Sequence, residues 1–142
     1  MPCQVHLVEV RDRYEDIRRL DGDVLVVTFA PPMFLEMYLR QHPLPFPIVS
    51  DPSRIAYHAF GLERARWRTM MRPGVVLRFL RILGRKWRLE RPRKGDDLLQ
   101  MGGDFVLDAR RRLVFVHRGT DPTDRPTVEE LLSAMRAAAI HL

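Results

Sequence analysis

Apolar residues recur at helical spacing at both ends of the chain and cluster into strand-like runs between them. In residues 4–20, Leu7, Val10, Tyr14 and Ile17 form one stripe, with charges on the opposite side. Asp21 and Gly22 end that helix. Val24-Leu25-Val26-Val27-Thr28-Phe29 is a β-branched run that predicts a buried parallel strand. Pro31-Pro32 stops it and starts a helix reaching Gln41, because proline is tolerated in a first turn. Ile48-Val49 predicts a short strand. Ser50-Asp51-Pro52 opens a helix carrying Ile55, Tyr57 and Phe60, closed by Gly61.

Residues 62–100 are less regular. Val75 to Leu83 predicts a helix with Arg78 and Arg81 on its wet side, and residues 91–96 predict an exposed loop. Phe105–Leu107 and Leu113–Val116 then form a hairpin through residues 108–111. Thr127 and Glu130 stand at capping-box spacing before a last helix, whose stripe is Val128, Leu131, Leu132 and Met135. The order is α-β-α-β-α, an insert over about 62–100, then β-β-α. Alternating strands and helices predict an α/β layer with a central sheet, built as one domain over residues 1–142.

Composition narrows this further. The chain has 142 residues, 46% hydrophobic and 30% charged, enough for one buried core. No apolar run approaches the roughly 20 residues of a membrane span, and the N-terminus carries no secretory pattern. The expected location is the cytoplasm. One cysteine, Cys3, excludes an internal disulfide framework. The net charge of +6 is uneven. Residues 64–94 hold twelve Lys/Arg and one acid, Glu90, leaving the remainder at 12 basic against 17 acidic residues. Such a block suits a solvated face or an anionic partner, either nucleic acid or a lipid surface.

Several segments, in order, resemble the peroxiredoxin-like AhpC/TSA redoxins, a thioredoxin-fold family. They are Leu25 to Pro32, Leu44 to Pro52, Tyr57 to Leu62, Gln100 to Asp108, His117-Arg118 and Asp124-Arg125-Pro126. The resemblance implies a thioredoxin-like mixed sheet with flanking helices, a basic insert, and a terminal hairpin and helix. In that family a strand and a Cys-x-x-Cys pair open the first helix. Cys3 falls on the second cysteine, and only Met1 and Pro2 precede it. Two expectations follow. One is a start placed at an internal methionine within Cys-Met-Pro-Cys, with a short apolar strand upstream. The other is a true truncation that leaves a degenerate or partner-completed fold.

The implied activity is thiol redox chemistry, reducing peroxide or exchanging disulfides. A helix N-terminus favours a thiolate, which places Cys3 suitably. With one cysteine, an external thiol must resolve the oxidised sulfur. The alternative is a terminal cysteine that is merely exposed. His6 lies one turn beyond Cys3 and is a candidate to stabilise the thiolate. By the resemblance, Arg118 is a candidate to hold the thiolate and orient peroxide. His117 as a proton relay is the weaker idea. Thr28, Gly102 and Gly103 are candidates near substrate, Thr28 at a strand's C-terminal end and the glycines where the backbone can approach closely; the alternatives are a turn shaped by Thr28 and a strand-entry turn at the glycines. No P-loop, dinucleotide fingerprint or nucleophile elbow is present, and the five histidines show no metal-ligand spacing, so neither cofactor nor metal is expected.

A second reading makes residues 64–94 a binding module. Arg64, Arg66, Trp67, Arg68 and Arg72, then Arg85, Lys86, Trp87 and Arg88, interleave cations with indoles as phosphate-gripping, base-stacking surfaces do. A third makes Val75, Val76, Phe79, Leu80 and Leu83 an oligomer contact. The partners expected are peroxide or a thiol, with a homo-oligomer allowed and neither nucleic acid nor membrane expected.

Overall fold

A computed structural model describes residues 2–62, 64, 71–84, 97, 99–121 and 123–140. The elements are α1 (Pro2–Asp12), α2 (Tyr14–Arg19), β1 (Val26–Thr28), α3 (Pro32–Gln41), β2 (Ile48–Ser50), α4 (Ile55–Ala59), α5 (Pro73–Gly84), β3 (Gly103–Leu107), β4 (Leu113–Arg118) and α6 (Val128–Ile140). The architecture is mixed α/β, with the order expected from the pattern.

The first predicted helix is two. The chain leaves helical geometry at Arg13, whose φ and ψ are −109° and 13°, and resumes at Tyr14. The apolar stripe survives the break because Val10 and Ile17 enter the same core. That core joins Val10, Ile17 and Phe46 to Val128 and Leu132 of α6, and Val26 packs against it from β1. Leu132 is fully buried, which contributes on the order of 2 kcal/mol. Leu131 and Met135, on the same predicted stripe, are half-buried. Tyr14 meets the Phe46 ring edge-on at 5.4 Å and donates from its hydroxyl to Asp23 at 2.7 Å, so its polar end is satisfied.

β1 pairs parallel with β2, Val26 opposite Ile48 and Thr28 opposite Ser50. β3 pairs antiparallel with β4, Gly103 opposite Arg118 and Asp104 opposite His117. The expected parallel and antiparallel pairings are both present. Among the described residues, however, they form two separate two-stranded sheets rather than one. β1 and β3 each hydrogen-bond to a neighbour on one side only, and no described strand lies between them.

Local chemistry explains the element ends. Asp51 accepts the Ala56 N–H at 2.8 Å and so receives the start of α4. Gly61, at φ 67°, ends it in the left-handed region. The Asp108 carboxylate clasps the hairpin turn through the N–H groups of Arg110 and Arg112, both at 2.9 Å. The capping box of α6 is closed: Thr127 Oγ1 accepts the Glu130 N–H at 3.2 Å, and Glu130 accepts the Thr127 N–H at 2.7 Å. The predicted loop at 91–96, and Trp67 and Trp87 with Arg66, Arg68, Arg85, Lys86 and Arg88, lie outside the described residues.

Candidate functional site

Cys3 is the second residue of α1. Its backbone sits in the first turn, where unpaired N–H groups gather. Its side chain lies outside the described set. His6 follows three positions later on the same helix, a spacing that puts the two residues on one face. His6 is 9% exposed, so α1 carries its imidazole into the protein. There Nε2 lies 2.9 Å from Asp104 Oδ1 on β3. A carboxylate can only accept, so Nε2 carries a proton. Nδ1 is buried and has no hydrogen-bond partner among the described residues. Glu9 Oε2 lies 4.0 Å from it.

Asp104 is held from its other side. Arg125 Nη1 donates to Oδ2 at 3.1 Å. Burial pushes the Asp104 carboxyl up, but the His6 hydrogen bond and the charges of His6 and Arg125 outweigh it, so the group titrates below the usual carboxylate range. The result is a largely buried His6–Asp104–Arg125 chain linking α1, β3 and the segment before α6.

Gly102 and Gly103 lead into this acid. A side chain at Gly102 would run into the Arg125 guanidinium. One at Gly103 would meet the His117 carbonyl and the Leu62 side chain, each at 2.7 Å. The glycine pair therefore lets Arg125 and β4 close on Asp104.

Side chains alternate across a strand, and cross-strand partners share a face. Asp104 and His117 lie on one face of the hairpin. Gly103, Phe105 and Arg118 lie on the other. His117 Nε2 comes within 3.2 Å of Asp124 Oδ1, close enough for ion pairing but outside hydrogen-bond alignment. Arg118 donates from Nε to the Phe60 carbonyl at 2.7 Å and lies 5.9 Å from the Phe105 ring centroid. Phe60 and Phe105 are themselves in ring contact at 4.6 Å. The structure brings His6 to Asp104 and sets Arg118 on the opposite face, fastening α4 to the hairpin. Thr28 ends β1 and is engaged locally: its Oγ1 accepts the Ala30 N–H at 3.2 Å and its carbonyl accepts the Asp51 N–H at 2.7 Å.

Beside the Arg118 face is an open cavity of about 390 Å³, lined by Arg54, His58, Gly61, Leu62, Arg64 and Gln100. Asp97 pairs with both arginines, at 2.9 Å to Arg54 and 3.2 Å to Arg64. Arg54 holds φ at 59° and lies 4.9 Å from the Phe29 ring centroid. Among the described residues, one acid there stands against two arginines.

A family model for the AhpC/TSA antioxidant enzyme matches residues 9–121. The chain belongs to that family. Comparison with curated proteins finds no match. In this AhpC/TSA chain the matched span takes in Thr28, Gly102, Gly103, Asp104 and Arg118, while Cys3 and His6 precede it and Arg125 follows it. Asp104 and Arg125 were not singled out from the sequence as site residues. Their signal was faint: an acid in an otherwise apolar strand behind two glycines, and an arginine in a turn. A charge within an apolar strand requires a buried partner, but nothing in the spacing names His6, 98 positions away.

Proposed function

We propose that this AhpC/TSA chain is a thiol redox protein in which Cys3 is the reacting thiol and the His6–Asp104 pair activates it. The observation that carries this is the buried imidazole one turn from Cys3, held at Nε2 by Asp104 and without a hydrogen-bond partner at Nδ1 among the described residues. His6 Nδ1 takes the Cys3 proton, forming a thiolate–imidazolium pair. Asp104 stabilises the cation and fixes the tautomer, and Arg125 holds Asp104 in place. The helix N-terminus adds its own preference for the anion.

With peroxide, the thiolate sulfur attacks one oxygen of ROOH. The O–O bond breaks, Cys3 becomes a sulfenic acid, and the alkoxide leaves as ROH with the imidazolium proton. An external thiol then condenses with the sulfenic acid, releasing water and leaving a mixed disulfide. A second thiol displaces Cys3 from it, so two thiols become one disulfide per peroxide. We also read the order β1-α3-β2, then β3-β4-α6, as thioredoxin-like. The parallel pair, the terminal hairpin and the closing helix support that arrangement.

The test is the pH dependence of Cys3 alkylation in the full chain, with peroxide consumption under dithiothreitol. The expected thiol pKa lies below the ordinary value of about 8.5. His6→Ala raises it, and Cys3→Ser abolishes turnover. A Cys3 that alkylates as an ordinary thiol, identically in His6→Ala, and yields no trapped sulfenic acid with peroxide, would overturn the assignment.

A further inference from the structure

We propose that α5 is an interfacial helix that docks on an anionic lipid surface. The helix is apolar around most of its circumference. Among its residues whose side chains are described, Val75 alone is buried, at 5% exposure. At about 100° per residue, Val76, Leu80 and Leu77 fall about 100°, 140° and 200° round from Val75. They form a contiguous flank that the protein leaves open. Their exposures are 43%, 58% and 51%, and Met71, just before the helix, is 63% exposed. No described element packs extensively against this flank. At the helix start, a side chain placed on Gly74 would meet nothing within 4 Å.

The charge of the sequence that contains this flank selects its occupant. Residues 64–94 carry twelve Lys/Arg and one acid. Arg72, just before α5, and Arg81, about 240° round from Val75 and so beside Leu77, are exposed. A second copy would bring the same positive charge against itself. Nucleic acid would match the charge but leave Val76, Leu77 and Leu80 in water or against phosphate. An anionic bilayer answers both features: acyl chains take the apolar flank and headgroups take the cations. No described helix is long and apolar enough to cross a membrane, and the twelve residues of α5 suit lying in the surface rather than spanning it. This departs from the expectation of no membrane partner, which rested on the lack of a spanning stretch. It is independent of the redox reading of Cys3.

The test is flotation of the full chain with vesicles of phosphatidylcholine plus phosphatidylglycerol, against vesicles of phosphatidylcholine alone. The comparison is the double variant Leu77→Ser, Leu80→Ser. Both positions are half-exposed, so the variant is expected to fold, which its thermal unfolding checks. The chain should float with the anionic vesicles, lose most of that binding in high salt or without phosphatidylglycerol, and bind about tenfold more weakly in the double variant. Three results would overturn the proposal. One is no flotation. Another is flotation equal in the folded double variant and the parent. The third is a dimer in sedimentation velocity that the double variant dissolves, which would make a second copy the occupant.

Discussion

His6 on α1 and Asp104 on β3 stand 98 positions apart in sequence and 2.9 Å apart in space. This pair ties the first helix to the terminal hairpin, and Arg125 closes it from the far side. Breaking a buried ionic hydrogen bond strands the remaining partners. Asp104→Ala leaves Arg125 and His6 without their shared acid. We expect a loss of about 3 kcal/mol in urea unfolding, with Arg125→Ala costing less because Asp104 keeps His6.

The same carboxyl sets a pH dependence. Its folded pKa is depressed, first opposed by burial and then driven down by His6 and Arg125. A depressed acid contributes stability that is fully present above its unfolded value, about pH 4, and is lost as pH falls through the folded value. The stability gap between the parent and Asp104→Asn should therefore be widest near neutral pH and narrow below about pH 4. Unfolding curves at several pH values measure it. A gap unchanged down to acid pH would exclude Asp104 as the group responsible.

Gly103→Ala tests the close approach of the strands. The new methyl meets the backbone carbonyl of His117, which cannot swing aside as a side chain can. We expect a cost of about 3 kcal/mol, or a hairpin displaced enough to lengthen the His6–Asp104 contact. Gly102→Ala presses on the Arg125 guanidinium instead. It should cost less than Gly103→Ala, because a side-chain end can shift. Thermal unfolding ranks the two.

The cap of α6 offers a simpler check. Thr127 and Glu130 satisfy each other's backbone N–H groups. Thr127→Ala should cost about 1 kcal/mol. Leu132→Ala, in the centre of the core, should cost about 2–5 kcal/mol. A Thr127→Ala loss as large as that of Leu132→Ala would mean the cap supports more than the helix end.

Much of the local structure was written in the sequence, because its causes are local. Pro31-Pro32 started α3, Thr127 and Glu130 capped α6, Gly61 ended α4, and apolar spacing placed α5. The break at Arg13 was not legible, since the apolar stripe runs through it unchanged. Nor did the order of strands reveal that, among the described residues, β1-β2 and β3-β4 form separate sheets: hydrogen bonds between strands are non-local, and spacing along the chain says nothing of which edges meet. Cys3 and His6 were visible as neighbours one turn apart. Their connection to Asp104 and Arg125 was decided only by the fold, which alone buries a histidine from one end of the chain against an acid from the other. The separation of Arg118 from that cluster was likewise decided by the hairpin register, because a shift of one residue in pairing would exchange the two faces.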